Sequence, residues 1–512
     1  MRQRLGLAVL LSLLLATIAG AVLAPPQQVY PIIEILVEDP STPVLLRSAF
    51  RPRASLRDCE ALTGNAIRVT LERCPQCRLT GSQCAHTIDS ATQAMLGSGP
   101  LATPAAHVPG GGVITFSARD PAVSLAACQA AAAQPAGKAG PLTCFASGQP
   151  RHGAPRQPVA HPWHWALLAA AILASWLTGW FILRYDHLHA RITHDHVGSG
   201  PQKFHTQPTP RIGGIGVVMG LLAAGAILLL ADALPGEREF GLLMLAGLPA
   251  FLGGLAEDVT KRVGVAERLL MTMLSGALAA WLVGAVLHRI DFPGVDTALL
   301  WLPFAVAFTS FAVGGVANAI NIIDGYHGLA GGFSVIVLAA LAWVASQVGD
   351  TLVFSTALAL AGALLGFLLW NWPHGRIFLG DGGAYFTGFL LAELGVLLVL
   401  RNPGVSPWFP LVLLIHPVFE TLFSVYRRRF AQRLSPGTAD GEHLHQLIHR
   451  RLLRQKWGAD YCNGRVGKHV WIPSAIIASL ASGHINSMYV LLSLALAYCF
   501  FFVMVYRALT AT

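Results

Sequence analysis

Charged residues are scarce in this sequence. Asp, Glu, Lys and Arg together make up 12% of its 512 residues, whereas a soluble domain carries about 25%. Apolar residues make up 54%, and the mean hydropathy is +0.56. This composition excludes a soluble globular protein for most of the length. It predicts that most of the chain lies in lipid, where helices satisfy their own backbone hydrogen bonds.

Cysteine is almost absent after residue 150, where only Cys462 and Cys499 occur. The other six cysteines are Cys59, Cys74, Cys77, Cys84, Cys128 and Cys144. An even set within one polar segment predicts disulfides formed in an oxidising compartment, although the sequence does not choose among the pairings. The alternative is a metal or redox site at Cys74-Pro-Gln-Cys77.

The first 161 residues differ from the rest of the chain. An apolar run within residues 1–24 is interpreted as a signal peptide or an anchor helix. Residues 25–161 are mostly polar, and we predict a small cysteine-rich accessory domain followed by a linker. Short strands are expected at 29–38 and 111–118.

Apolar runs follow one another from residue 162 onward, and most approach the roughly 20 residues that a helix needs to cross the hydrocarbon. They predict an all-α polytopic membrane domain at 162–512 with eleven transmembrane helices. The runs lie near 163–183, 212–231, 240–256, 269–287, 298–319, 329–347, 352–371, 385–400, 408–425, 468–484 and 487–507.

Lysine and arginine are distributed unevenly between alternate loops of this domain. One set of loops contains most of them, including Arg211 and Arg268, whereas the opposite set holds little beyond Arg238, Arg289 and Arg401. Positive residues mark cytoplasmic loops, so the first set is expected to be cytoplasmic and residues 25–161 to lie outside. The same clustering in short loops argues against nucleic acid as the reason for the net charge of +9.

Acidic side chains recur at span ends on the predicted cytoplasmic face. Glu257 and Asp258 close the third span, Asp324 follows the fifth, and Asp381 precedes the eighth. The long basic loop before the last two spans adds His443, His445 and His449. Ionisable groups at a membrane are energetically unfavourable, so their presence indicates a role in binding or catalysis. Carboxylates hold Mg²⁺, and Mg²⁺ neutralises a diphosphate, so the set suits phosphoryl transfer at the lipid surface.

Each of these features also has a simpler explanation. The Glu257-Asp258 pair can cap the start of the next helix, and the two Asp-Gly dipeptides can be plain turns. The histidines can form a zinc site or lie in a solvated loop. Their joint occurrence on one face favours a shared site. Asn318 and Asn321 add to it, because amides at the end of an apolar span are costly without partners.

In this order, the motifs resemble those of the polyprenyl-phosphate N-acetylhexosamine-1-phosphate transferase superfamily, over about residues 163–507. The matching positions are Lys203, His205, Pro210, Gly213 and Gly214; Glu257-Asp258; the block 318–329; the block 378–383; and Ser435, Pro436 and Asp440 before His443-Leu-His445-Gln446. The late motif favours the GlcNAc-1-phosphate branch, since the three-histidine run of the pentapeptide transferases does not occur.

This resemblance implies transfer of a sugar-1-phosphate, expected to be N-acetylhexosamine-1-phosphate, from a UDP-sugar to polyprenyl (undecaprenyl) phosphate with release of UMP. The reaction would initiate cell-envelope polysaccharide or lipopolysaccharide synthesis. It would use Mg²⁺, or Mn²⁺ in its place, on the cytoplasmic side of the cell inner membrane, with residues 25–161 in the periplasm. A homodimer and a periplasmic partner of residues 25–161 stay open as expectations.

The resemblance also implies roles for individual residues. The expected metal ligands are Asp381 and Asp324; the expected catalytic residues are Asp258, Glu257 and Asp324; the expected substrate-binding residues are Lys203, Asn318, Asn321, His327, His443 and His445.

Two positions depart from the family pattern. Glu257 stands where the family has Asp and displaces the carboxylate by about an ångström, and His327 replaces the second acid of the 318–329 block. We expect an altered sugar preference, because the other acids remain. A catalytically altered membrane anchor for a periplasmic interaction domain is the alternative. A transporter is disfavoured, because transporters place ionisable groups near the bilayer midplane.

Overall fold

The computed structural model describes residues 29–38, 42–50, 56–85, 89, 91–92, 95, 101–108, 112–133, 143–147, 162–195, 208–230, 236–402, 404–433, 440–454 and 459–511. The predicted signal or anchor segment at 1–24 lies outside these residues. The chain divides into two compact units, residues 1–155 and 156–512. They are described separately.

Unit 1 is an antiparallel six-stranded sheet with two main helices. The strands are β1 (Tyr30–Val37), β2 (Val44–Phe50), β3 (Cys77–Ala85), β4 (Ala105–Val108), β5 (Gly112–Ser117) and β6 (Thr143–Phe145), in the order β3-β1-β2-β5-β4-β6. The helices are α1 (Leu56–Arg73) and α2 (Pro121–Ala133). The strands expected at 29–38 and 111–118 are confirmed as β1 and β5.

The sheet of unit 1 contains the same ββαβ arrangement twice. In the first half, β1 pairs with β2, and the chain returns through α1 so that β3 pairs with the other edge of β1. In the second half, β4 pairs with β5, and the chain returns through α2 so that β6 pairs with β4. The two halves join where β2 pairs with β5.

Each half carries a disulfide at the equivalent place, between its helix and its last strand. These disulfides are Cys59–Cys84 and Cys128–Cys144. A third, Cys74–Cys77, closes the turn between α1 and β3. The disulfide interpretation of the six cysteines is therefore confirmed, and the Cys-x-x-Cys pair is oxidised rather than arranged around a metal.

Unit 2 is almost entirely helical. Its helices are α3 (Pro162–Arg184), α4 (Asp186–Thr193), α5 (Gly213–Leu230), α6 (Glu237–Ala246), α7 (Leu248–Thr260), α8 (Val265–Val283), α9 (Pro293–Leu299), α10 (Leu302–Ile323), α11 (Leu329–Val348), α12 (Thr351–Asn371), α13 (Gly380–Arg401), α14 (Trp408–Leu413), α15 (Ile415–Tyr426), α16 (Leu444–Arg454), α17 (Ala459–Ser482) and α18 (Met488–Thr510). A short strand pair (His194–Asp195 with Thr209–Pro210) precedes α5, and a π-helical turn (Arg427–Ala431) follows α15.

Nine helical segments among the described residues are long and apolar enough to cross a membrane, with α6 and α7 together forming one of them. The chain is thus polytopic, but two of the eleven predicted spans differ from expectation. The segment near 408–425 is divided into α14 and α15, because Pro417 has no N–H to donate and lies in the first turn of a new helix. The segment near 468–484 lies within α17, which begins with a polar stretch and contains Pro473.

Helix α13 is the centre of unit 2. Every residue from Gly380 to Val399 is buried, and α5, α7, α10, α11 and α12 all pack against this helix. The apolar positions in the sequence alone predict a start near residue 385, whereas the helix begins at Gly380. This earlier start brings Asp381 into the first helical turn.

Candidate active site

Asp381 is the point on which several distant segments converge. Its Oδ1 accepts hydrogen bonds from Arg211 Nη2 at 3.0 Å and Asn321 Nδ2 at 3.1 Å. Its Oδ2 accepts a hydrogen bond from Arg268 Nη1 at 2.6 Å. Arg211 precedes α5, Arg268 lies in the first turn of α8, and Asn321 lies in the last turn of α10. The start of α13 is therefore tied to three other elements through one buried carboxylate.

Asp258, near the end of α7, caps the beginning of α13. Its Oδ1 accepts the backbone N–H of Asp381 and its Oδ2 accepts that of Gly382, each at 3.0 Å. The side chain is 1% exposed, and Arg211 Nε lies 3.5 Å from Oδ1. The first N–H groups of a helix have no partner within the helix. Asp258 supplies one for two of them and thereby fixes the turn that carries Asp381.

Two glycines allow these segments to approach each other. A Cβ on Gly254 of α7 would lie 2.5 Å from the carbonyl carbon of Asp381, which is closer than side-chain carbons come to backbone. Gly380 has a φ of +75°, and a Cβ there would overlap the carbonyl oxygen of Arg211. At Gly380, glycine is needed because other residues rarely adopt a positive φ. At both positions, the absence of a side chain leaves the space in which the segments come into contact.

Asp324 follows the last residue of α10 and belongs to the same electrostatic group. Burial raises the pKa of its carboxyl well above the ordinary value; the charge of Arg211 opposes this rise, and the charges of Asp381 and Asp258 add to it. Three of the four acids selected from the sequence, Asp258, Asp324 and Asp381, are thus brought together, although they come from three separate spans.

The two asparagines of α10 have different environments. Asn321 donates to Asp381, and its Oδ1 accepts a hydrogen bond from Tyr385 Oη at 3.3 Å. Asn318 lies about one turn earlier and donates to Thr272 Oγ1 at 3.0 Å and to the carbonyl of Gly314 at 2.8 Å. Asn321 therefore belongs to the acid group, whereas Asn318 ties α10 to α8.

Glu257 has a different environment from its neighbour Asp258. Its Oε2 accepts the backbone N–H of Val263 at 2.7 Å, and its backbone carbonyl accepts that of Lys261, which has a left-handed φ of 55°. These contacts stabilise the turn between α7 and α8. They do not cap the start of α8, because Val263 precedes the first residue of that helix, Val265.

The histidines lie beside the turn that follows Asp324. The rings of His443 and His445 stack at 5.3 Å with an interplanar angle of 9°. His445 meets Tyr326 edge to face at 5.6 Å, and His449 lies 5.0 Å from the same ring. Burial lowers the pKa of His445 to about 3, so its imidazole is neutral near pH 7.

The contacts of His327 are with residues outside the acid group. Its backbone N–H donates to Asn463 Oδ1 at 2.9 Å, its Nδ1 lies 3.0 Å from the carbonyl oxygen of Pro373, and its ring lies beside Phe378. These neighbours belong to α17 and to the loop between α12 and α13. Its predicted role in substrate binding stays a prediction. Lys203 lies outside the described residues.

The helical unit contains a segment that matches a known protein family. Residues 240–399 match the family model described as glycosyl transferase family 4. A decaprenyl-phosphate N-acetylglucosaminephosphotransferase of Mycolicibacterium smegmatis is 31% identical over 331 residues, which cover 56% of this chain and 76% of the relative. A probable undecaprenyl-phosphate N-acetylglucosaminyl 1-phosphate transferase of Bacillus subtilis is 27% identical over 248 residues, 48% of this chain and 67% of the relative.

The chain belongs to the polyprenyl-phosphate N-acetylhexosamine-1-phosphate transferase family. A phospho-N-acetylmuramoyl-pentapeptide-transferase of Desulforamulus reducens is also similar, at 34% identity over 211 residues, 38% of this chain and 61% of the relative. The segment matched by the family model contains Asp258, Asp324 and Asp381, whereas Arg211 and the histidines at 443, 445 and 449 lie outside it.

Two residues of this family member's site escaped the sequence analysis. Arg211 and Arg268 were counted only as markers of the cytoplasmic face, yet both bind Asp381. The available signal was their position: each lies immediately before or within the first turn of an apolar helix, where a positive charge is unfavourable for the helix dipole. Such a placement indicates a partner elsewhere in the fold.

The donor groups of this site fit a hard divalent cation. Mg²⁺ prefers carboxylate and amide oxygens, and Asp381, Asp324 and Asn321 offer them beside two arginines. Within the described part of the chain, no three acidic, histidine or cysteine side chains already form a cation cage. The fit is therefore one of donor type and charge. A cation here would offset the repulsion between the carboxylates.

Proposed function

We propose that this chain transfers a sugar-1-phosphate, N-acetylhexosamine-1-phosphate, from a UDP-sugar to polyprenyl phosphate and releases UMP. The observation that carries the proposal is the group of Asp258, Asp324 and Asp381 with Arg211 and Arg268, assembled at the ends of separate apolar helices. The names of the relatives, which act on decaprenyl and undecaprenyl phosphate, support the same acceptor class.

In the proposed reaction, an oxygen of the lipid phosphate attacks the β-phosphorus of the UDP-sugar. The new P–O bond forms as the bond from that phosphorus to the oxygen bridging the α-phosphate breaks, and UMP leaves with this oxygen. The nucleophile is already anionic, so positioning and charge neutralisation should supply most of the rate. Arg211 and Arg268 are placed to bind phosphate oxygens, since guanidinium groups bind them in a fixed geometry.

Mg²⁺, or Mn²⁺ in its place, would be held by Asp381 and Asp324, and when bound it would neutralise charge on the diphosphate. Asp258 would orient the lipid phosphate indirectly, because it holds the first turn of α13. Glu257 would stabilise the turn between α7 and α8, where it accepts the N–H of Val263.

The remaining substrate-binding roles follow from position. Asn321 would contact the diphosphate, while His443 and His445 would bind the diphosphate or the sugar. Asn318, His327 and Lys203 keep their predicted roles as residues that shape or contact the donor site.

The setting proposed for this activity is the cell inner membrane, with eleven spans, the active site on the cytoplasmic side and residues 25–161 in the periplasm. The uneven distribution of Lys and Arg supports this orientation. The three disulfides of unit 1 support an oxidising compartment for that unit. The product would initiate a cell-envelope polysaccharide.

The test is UMP release by purified full-length protein supplied with undecaprenyl phosphate, Mg²⁺ and each of several UDP-N-acetylhexosamines. We expect UMP with at least one donor. Asp381→Ala should abolish it, because the variant loses the carboxylate on which Arg211 and Arg268 converge.

Glu239→Ala is the matched control, since this acid is exposed at the start of α6. It should retain the activity. No UMP with any donor would contradict the proposal, and full activity in Asp381→Ala would contradict the assignment of the site.

A further inference from the structure

Glu420 of α15 is a buried acid that the proposed reaction does not use. Its side chain is 1% exposed, and its Oε1 lies 2.9 Å from His443 Nδ1. Both of its oxygens also accept the backbone N–H of Leu444, at 3.2 and 3.3 Å. Leu444 is the first residue of α16. Glu420 therefore joins α15 to the histidine segment through the ring of His443 and the start of the helix that carries His445.

These contacts constrain the ring of His443. An ionised carboxylate only accepts hydrogen bonds, so a 2.9 Å contact requires the proton on Nδ1 of His443. The other ring nitrogen, Nε2, lies 3.6 Å from Asp440 Oδ2. The ring plane is nearly parallel to that of His445, and His445 meets Tyr326 in the turn after Asp324.

The other charged groups around His443 have partners of their own. Asp440 binds Arg427 and the hydroxyl of Ser424 and accepts the backbone N–H of Glu442. His416, one turn before Glu420 on α15, has its Nδ1 3.0 Å from the hydroxyl of Tyr498. Of the two carboxylates beside the His443 ring, Glu420 is the one within hydrogen-bonding distance of a ring nitrogen.

We propose that Glu420 is a positioning residue, which holds the His443 ring with its Nδ1 protonated so that the ring stacks on His445 beside the diphosphate site. The proposal rests on the proposed function, because His443 is one of the residues expected to bind the donor. A hydrogen bond from a neighbouring carboxylate commonly fixes the tautomer and orientation of a functional histidine. The chain supplies this carboxylate from α15, 23 residues earlier in the sequence.

The kinetic test uses Glu420→Gln in the full-length protein. Glutamine keeps the volume and one acceptor oxygen but removes the charge, so the variant should fold. We expect kcat/KM for the UDP-sugar to fall by about 10- to 100-fold, the loss expected when a hydrogen bond to a charged carboxylate is weakened. The change should appear mainly in the KM for the UDP-sugar, while the KM for the lipid acceptor stays the same.

Glu393→Gln is the matched control, because Glu393 is a fully buried carboxyl of α13, about three helical turns beyond Asp381. It should leave these constants unchanged. An additional comparison is made in a His443→Ala background. If Glu420 acts through His443, Glu420→Gln should cause no further loss of activity in the His443→Ala variant, because the effects of substituting two interacting residues are not additive.

The tautomer can be measured without activity, by ¹⁵N NMR of histidine-labelled protein in lipid, with His443→Ala to assign the signal. A protonated Nδ1 in the wild type is expected. An unprotonated Nδ1, unchanged kinetics in Glu420→Gln, or an equal loss in the His443→Ala background would each overturn the proposal. Absence of UMP release by the wild type would instead count against the proposed function, and the NMR result would still decide the role of Glu420.

Discussion

Replacing Asp258 with Asn tests whether this acid holds the active site together. Its carboxylate accepts the N–H groups of Asp381 and Gly382, each at 3.0 Å, in a buried environment. A buried N–H left without a partner costs about 1–3 kcal/mol. Asparagine keeps one acceptor oxygen, so Asp258→Asn should lose about 2 kcal/mol of stability. Asp258→Ala loses both acceptors and should lose roughly 4 kcal/mol.

The control for this prediction is the neighbouring acid. Glu257 accepts a single N–H, that of Val263, and glutamine can still accept it, so Glu257→Gln should lose less than about 1 kcal/mol. The assay is thermal unfolding of the purified protein in detergent, with UMP release measured on the same samples. Apparent melting temperatures should fall in the order wild type, Glu257→Gln, Asp258→Asn, Asp258→Ala.

The refuting result is specific. If Asp258→Asn lost its activity while its melting temperature stayed that of the wild type, Asp258 would act on the substrate directly. The capping of α13 would then contribute nothing measurable.

Three further predictions concern Arg268, Gly254 and the disulfides of unit 1. Arg268→Ala should lower kcat/KM for the UDP-sugar by at least about tenfold, since charge-assisted pairs are strong; the exposed Arg262→Ala should not, and equal loss in both would contradict the assignment. Gly254→Ala should lower UMP release and melting temperature because its Cβ meets the backbone of α13, whereas Gly241→Ala, which has open space, should change neither. When the protein is alkylated in denaturant without reductant, mass spectrometry should detect modification only at Cys462 of α17 and Cys499 of α18. Modification of a cysteine in unit 1 would contradict the disulfides of that unit.

The sequence predicts which helix ends carry the acids, but it does not predict which residues the acids contact. Asp258, Asp324 and Asp381 were placed at span ends on one face because hydropathy and basic loops are local properties of the chain. What each acid binds was not predictable in this way. Asp258 contacts residues more than 120 positions away, and the adjacent Glu257 contacts the next turn instead.

The histidine segment illustrates the same limit. The sequence indicates His443 and His445 as a motif, yet their partner Glu420 lies inside a run that was interpreted as an ordinary span. A carboxylate in an apolar run signals that some partner exists. The residues near Glu420 in the sequence do not indicate that its partner is His443. The contact forms only when α15 and the segment that begins α16 pack together.

The sequence by itself determined that this protein is a polytopic membrane protein with a separate, disulfide-bonded polar segment, and it identified the acidic motifs of a transferase family. These properties depend on composition and spacing along the chain. The tertiary structure alone decided the ββαβ duplication, the disulfide pairing, the two arginines on Asp381 and the capping of α13 by Asp258. Apart from the Cys74–Cys77 disulfide, each of these is a contact between residues distant in sequence, and its energy comes from burial and pairing that exist only in the folded chain.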